Sequence, residues 1–212
     1  YMVSMGFGYP LGVDLPGEKR GMIPNDKYYD KNYNGSWNGL TIISIAIGQG
    51  EVTATPLQIA NLGATIANRG YFITPHVVKE IEDEALDSLY TTKRYTKVSE
   101  KHYETVVQGM RAAVTGGTCR AANLPGLDVC GKTGTAQNKG KDHSAFMGFA
   151  PMNNPKIAVA VYVENGGWGA TYGVPIGALI MEKYLNGTLS PQSEMKASDI
   201  QMRRIDYGVH ER

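Results

Sequence analysis

Residues 124–140 read "LPGLDVCGKTGTAQNKG", and the fold turns on how the middle of that stretch is parsed. Gly126 to Thr133 has the form G-x-x-x-x-G-K-T, the loop that cradles nucleotide phosphates. Lys132-Thr133-Gly134-Thr135 has the form K-T-G-T, a strand edge that lines an acyl-transfer cleft. The two readings demand different local structure. A phosphate loop follows a buried strand and opens into a helix, whose N–H groups and dipole hold the phosphates. Here Ala121-Ala122-Asn123-Leu124-Pro125 makes a poor buried strand. The run from Gly134 to Gly140 has no apolar helical face, which argues against a following helix. Leu127-Asp128-Val129-Cys130 itself reads as strand entry. One feature favours nucleotide: "IAVAVYVE" ends in Glu164 after an apolar run, as a magnesium-site strand does.

On the strand reading, each residue type has a chemical reason. A peptide's terminal carboxylate is held by the Lys132 charge and the hydroxyls of Thr133 and Thr135. Gly134 lacks a side chain, so a peptide backbone can pair against the edge. The Thr135 N–H is placed to meet a carbonyl oxygen that becomes an oxyanion. A three-letter motif alone equally describes a strand with a solvated lysine and a turn glycine.

Composition narrows the classes. The chain has 212 residues, with Lys and Arg totalling 21 against 20 for Asp and Glu, so it offers no electrostatic case for nucleic acid. Its longest apolar stretch, Leu40–Gly48, is too short to span a bilayer. His76, His102, His143 and His210 are scattered, so no metal cluster is expected, and no cofactor is expected either. The first residue is Tyr1, which suggests excision from something longer. Cys119 and Cys130 are expected to be unbridged, with Cys130 entering the motif strand as a small buried hydrophobe.

Residues 1–39, rich in Gly, Pro, Asn and Tyr, read as ordered but irregular. A helix opens at Thr55, with Pro56 at its first position and Gln58 completing a capping box, and Gly70 stops it. Gly63 and Ala67 allow close packing on it. "YFITPHVVKEIED" reads as extended structure broken by Pro75. A second helix starts near Ser99, with Tyr103, Val106, Val107, Met110 and Val114 on one face, and Gly116-Gly117 ends it. Strands are expected at 128–137, 144–150 and 156–164, the last apolar on both faces and so covered on both sides. The last helix spans 174–185. After Leu189 the chain turns polar with no strong periodicity.

The neighbours of the motif decide between the readings. "GKTGTAQN", "DHSAFMGFAP" and "KIAVAVYVENG", in that order, resemble the C-terminal half of class B penicillin-binding proteins. Upstream, "GVDLPGE" followed by Gly21 and Pro24, "SIAIGQGEVTATPLQIANLGATIANRG" and "GMRAAVTGGT" resemble the same family in the same order. Within it they are most similar to the elongation-type group called penicillin-binding protein 2. The resemblance runs from about Gly6 to about Leu185.

It implies an α/β (α+β) fold, the C-terminal portion of the penicillin-binding and serine β-lactamase-like transpeptidase fold, with an antiparallel sheet flanked by helices. Residues 1–189 would form part of that domain, and 190–212 a polar tail. Lys132, Thr133 and Gly134 fall on the family's third active-site motif, with Thr135 as the oxyanion residue. Gly48-Gln49-Gly50 and Thr55-Pro56 match family features read here as structural. Asp142 and His143 match a family pair, for which a capped turn and a cleft role both stand open. Gly117-Thr118-Cys119 replaces the frequent Gly-Thr-Ala, a departure that touches the loop and not the chemistry.

The implied mechanism needs a serine in S-x-x-K and another in S-x-N, both N-terminal to K-T-G. Ser193-Glu194-Met195-Lys196 fits the first pattern, but in the polar tail with no apolar helix to bury it, and reads as chance. Ser36-Trp37-Asn38 fits the second but matches a different family segment. Both motifs are therefore expected upstream of Tyr1, together with a membrane-anchoring helix that holds the protein on the periplasmic side of the inner membrane. The implied substrates are peptidoglycan stem peptides and β-lactam antibiotics, and the implied partner is a membrane-embedded glycan polymerase of the elongation machinery. A β-lactam sensor or inactive relative would carry the same K-T-G wall.

Overall fold

The computed structural model describes residues 1–205. Its first 25 residues contain one short 3-10 turn and are otherwise irregular, as their composition implies. Backbone groups outside a ladder still need partners, and polar side chains supply them. The Glu18 carboxylate accepts from the N–H groups of Leu11, Gly12 and Val13 at 2.6, 2.9 and 3.1 Å. The Gln58 amide, fully buried, is shared among the carbonyls of Gly6, Tyr9 and Arg20 at 3.0–3.1 Å. Helix α1 (Asp26–Tyr33) follows, capped by the Asn25 side chain.

Helix α2 (Pro56–Ala67) starts as the capping box dictates. Thr55 Oγ1 accepts from the Gln58 N–H at 3.1 Å, and Gln58 Oε1 accepts from the Thr55 N–H at 3.0 Å. It ends at Ala67; Gly70, at φ 121°, closes the turn by donating to the Thr65 carbonyl. Extended pairing beyond it is brief: β1 (Tyr71–Phe72) meets β2 (Arg94–Tyr95). Past Pro75 the N–H groups of Val77 and Val78 turn to the Asp14 carboxylate instead of a ladder. Helix α3 (Tyr103–Thr115), preceded by a 3-10 turn over Glu100–His102, buries Tyr103, Val107, Met110 and Val114. Val106 remains 45% exposed, so the apolar face is narrower than its periodicity suggests.

The main sheet is antiparallel, in the order β3 (Cys130–Ala136), β4 (His143–Ala150), β5 (Ile157–Val163). Successive side chains of a strand point to opposite faces, and β4 shows what covers each. A Cβ built on Gly63 of α2 would lie 3.3 Å from Met147 Cγ. A Cβ on Gly177 of α4 (Gly173–Asn186) would lie 2.4 Å from the ring of Phe146. The two helices therefore cover opposite faces. On the α4 side, Phe146, Ala150, Val159, Val174, Ala178 and Met181 form one core. On the other, Val107, Met110, Ile66, Phe149 and Cys130 form a second. Strand β5 is thus covered on both faces as expected, although Tyr162 stays 42% exposed near its end.

Both cysteines are free and buried, Cys130 facing the α2–α3 core and Cys119 the other. Burial pushes the Cys130 thiol from about 9 up to about 11, and Cys119 moves in the same direction for the same reason. Folding thus favours the protonated thiol. Its contribution is complete below pH 9 and is lost as pH rises toward 11, because the unfolded chain forms thiolate first. We expect urea stability to fall across that window by on the order of 1–2 kcal/mol from this group. Cys130→Ala should have a shallower pH slope than the parent; equal slopes would place the sensitivity elsewhere.

After Leu189 the structure departs from the sequence reading. Residues Pro191–Met202 form helix α5, capped by Ser190, whose side chain accepts from the Ser193 N–H. Its start signals, an N-cap serine followed by proline, outweigh its weak apolar periodicity. Ser193 is 1% exposed, so the expectation that no helix buries it is overturned. The Glu182 carboxylate, buried on α4, accepts from the Ser190 N–H at 3.0 Å and sets a negative charge against the positive end of α5. Residues 206–212 of the expected tail lie outside the described residues.

Candidate active-site wall

The phosphate-loop reading fails on backbone geometry. Lys132 and Thr133 lie in the middle of β3, which continues to Ala136, and no helix opens behind them. Residue Asp128 takes a left-handed φ of 41° as the chain enters the strand. Arg111 on α3 fixes that entry by donating to the Val129 carbonyl at 3.0 Å and the Asp128 carboxylate at 3.2 Å.

β3 ends the sheet, with β4 on one side and no ladder partner on the other among the described residues. Alternation sends Lys132 and Gly134 to the α2 face, and Thr133 and Thr135 to the α4 face. The loop between β5 and α4 packs under the two threonines. Gly169 there has no room for a side chain: a Cβ would lie 2.6 Å from the Gly134 carbonyl oxygen and 3.0 Å from Thr133 Cβ. Its N–H donates to Thr135 Oγ1 at 3.4 Å. The Lys132 ammonium lies along the strand and donates to the Thr133 carbonyl at 2.8 Å. Lysine and hydroxyls thus leave the strand on different faces, and the open edge is where the two faces meet.

Two further residues reach the motif. Thr118 Oγ1 lies 2.9 Å from Thr133 Oγ1. A hydroxyl has one proton to give, so a Thr133 that donates to a carboxylate must accept from Thr118, which orients and polarises it. The departure from Gly-Thr-Ala is confined to Cys119, buried in the core; Thr118, the residue kept from that pattern, is the one that reaches the motif strand. Their separation of fifteen residues follows no motif, and only the packing of the loop against β3 brings them together.

The second is Gln49, whose Nε2 donates to the Thr135 carbonyl at 3.4 Å across a cleft of about 480 Å³. Gly48 and Gly50 on either side have φ of 72° and 69°. Behind them Glu51 accepts from the hydroxyls of Tyr29 and Tyr33, each at 2.9 Å. Those two bonds hold its carboxyl below the ordinary range, while burial first and Glu51 second push the Tyr29 hydroxyl up to about 12. Trp37 packs on Tyr29 with ring centroids 5.4 Å apart and donates to Asp30, so the Ser36-Trp37-Asn38 stretch serves this aromatic cluster.

Asp142 and His143 fasten the β5–α4 loop. The Asp142 carbonyl accepts from the Gly167 N–H at 2.8 Å, and His143 Nδ1 accepts from the Asn165 N–H at 3.0 Å. An accepting Nδ1 puts the ring proton on Nε2.

A three-layer arrangement with K-T-G-T on the open edge of an antiparallel sheet is the frame of a penicillin-recognising transpeptidase. Residues 1–185 match the transpeptidase domain of penicillin-binding proteins, and the chain belongs to that family. Within it the similar proteins include transpeptidases named MrdA and solved chains named PBP2. The peptidoglycan D,D-transpeptidase MrdA of Haemophilus influenzae is 34% identical over 96% of this chain and 35% of its own length. The solved PBP2 of Pseudomonas aeruginosa, in complex with WCK 5153, superposes with a TM-score of 0.75 at 35% identity, covering 91% of this chain and 45% of that one. PBP2 of Helicobacter pylori, solved in complex with MreC, superposes with a TM-score of 0.74 at 29% identity, over 88% and 35%. The chain therefore spans about a third of the length of the curated relatives it matches.

Proposed function

We propose that these residues form one wall of the active site of a peptidoglycan D,D-transpeptidase, whose nucleophilic serine and S-x-N motif lie outside residues 1–212. The observation that carries the reading is the K-T-G-T sequence on the open edge of β3. A stem peptide ending in D-Ala-D-Ala adds along that edge, its carboxylate held by Lys132 and the Thr133 hydroxyl. The serine oxygen attacks the penultimate D-Ala carbonyl, and the oxygen of the tetrahedral intermediate is held by the Thr135 N–H. Collapse breaks the peptide bond, and D-Ala leaves with a proton on its amine. An amine of a neighbouring stem peptide then attacks the acyl-serine, forming the cross-link and returning the serine hydroxyl. β-Lactams acylate the same serine. Asp142 and His143 act here by holding the loop that supports Thr135, not by touching substrate.

No described helix is long and apolar enough to cross a membrane. We place the parent on the outer face of the cytoplasmic membrane, anchored by a helix outside these residues and working beside a membrane-embedded glycan polymerase. The H. pylori relative solved with MreC, and a relative solved within a peptidoglycan synthase complex that couples polymerisation to crosslinking, support that setting.

A fluorescent penicillin tests the reading by intact mass. Residues 1–212 alone should carry no adduct, the complete parent one adduct per molecule, and the parent should release D-Ala from a pentapeptide donor. A parent that traps penicillin but releases no D-Ala is a sensor. An adduct on Ser193 of the isolated chain would assign the nucleophile to α5 and overturn the placement.

A further inference from the structure

We infer that Gln49 is a placeholder for substrate: its side-chain amide occupies the Thr135 carbonyl that an incoming peptide N–H must take. The inference deepens the proposed function and rests on it. In an extended strand a residue's N–H and C=O point to the same side. Gln49 Nε2 reaches the Thr135 carbonyl from outside the sheet, at 3.4 Å. Thr135 is therefore one of the residues whose backbone groups face off the open edge. A peptide added to that edge uses both groups, its carbonyl against the N–H and its own N–H against the C=O. A glutamine carboxamide is chemically a peptide unit, and it makes the second of those bonds here.

The loop is built to present this one side chain. Left-handed φ on both sides of Gln49 requires glycine. A side chain at position 50 would also crowd Ser44, since its Cβ would fall 2.4 Å from Ser44 Oγ, which would have to turn away. The Gln49 N–H is tied to the Ser44 carbonyl at 3.1 Å. Glu51 pins the loop to Tyr29 and Tyr33, and the Thr53 backbone exchanges hydrogen bonds with Met22 at 2.8 and 3.0 Å. The backbone of the turn is fixed from both ends, while the carboxamide sits on a single long bond over an open cleft. Substrate can displace the side chain without moving the loop. The displaced bond is a small barrier felt only by ligands that bring an N–H of their own.

The test compares two β-lactam classes in the complete parent protein: penicillins, whose acylamino side chain carries an N–H, and compounds that lack it. Second-order acylation rates are measured for the parent, Gln49→Ala and Gln49→Glu. Both variants remove the donor, and the glutamate variant keeps the shape, so a folding defect in one leaves the other. We expect the rate ratio, N–H-bearing over N–H-lacking, to rise about two- to fivefold in both variants. The added charge of glutamate slows both anionic classes and cancels in the ratio. An unchanged or lowered ratio would overturn the placeholder role, the latter by showing that Gln49 assists the ligand. Failure of the parent to be acylated by either class would refute the transpeptidase reading itself, a separate result.

Discussion

Lys132→Ala in the complete parent protein is expected to lower the second-order rate of penicillin acylation about a hundredfold, against less than about threefold for Lys139→Ala. Both changes remove one positive charge from the same short stretch, so any general electrostatic effect is shared. What differs is position. Lys132 is in β3, with its ammonium against the Thr133 carbonyl at 2.8 Å, at the edge where the proposed function has the ligand carboxylate arrive. Lys139 follows the strand in an exposed bend, its backbone N–H closed onto the Asn138 side chain. A charge-assisted hydrogen bond in a cleft closed over by ligand is worth roughly 2–3 kcal/mol, and a solvated single charge well under 1. Rates for the two variants within a factor of three of each other would remove Lys132 from the site even if the family assignment stands.

Phe146→Ala is expected to destabilise the fold by about 3–5 kcal/mol in urea or guanidinium unfolding. The ring is 1% exposed at the centre of the α4-side core, and three glycines make its slot. A Cβ on Gly131, Gly148 or Gly177 would approach the ring to 2.5, 2.6 or 2.4 Å. Gly177 therefore allows a sharp comparison with Gly109. Both sit inside helices, where alanine is intrinsically better by about 1 kcal/mol. At Gly109 nothing among the described residues lies within 4 Å of the added methyl, so the propensity gain should appear. At Gly177 the methyl would lie 2.4 Å from a ring that is 1% exposed, and overpacking of about 1–3 kcal/mol should win. Gly109→Ala stabilising and Gly177→Ala destabilising is the expected pair. A Gly177→Ala chain as stable as Gly109→Ala would mean that the Phe146 slot is loose. Because Gly131 directly precedes Lys132, filling the slot from that side should also disturb the motif strand.

Local chemistry was written plainly in the sequence. The Thr55-Pro56-Gln58 start of α2, the apolar face of α3, the three strands and the both-faced burial of β5 follow from caps and periodicity, which act over a few residues. The family assignment was legible for a related reason: "GKTGTAQN", "DHSAFMGFAP" and "KIAVAVYVENG" carry strand, turn and strand in one continuous run. Helix α5 was missed because its driving signals are a serine cap and the Glu182 carboxylate beneath it rather than an apolar stripe. That carboxylate lies eight residues before the cap on another helix, and its role exists only once α4 and α5 pack.

What the sequence by itself determined was the identity of the motif strand and the order of elements around it. Tertiary structure alone decided which side chains converge on that strand. Thr118 meets Thr133, Gln49 meets Thr135, and Gly169 makes room beneath both threonines, over separations that no period or motif encodes. Hydrogen bonds between hydroxyls and amides have no sequence signature, because any polar residue can make one when the fold brings it within about 3 Å. Three-dimensional proximity, set by how α2, α3 and α4 cover the sheet, turned an ordinary threonine and a turn glutamine into neighbours of the chemistry.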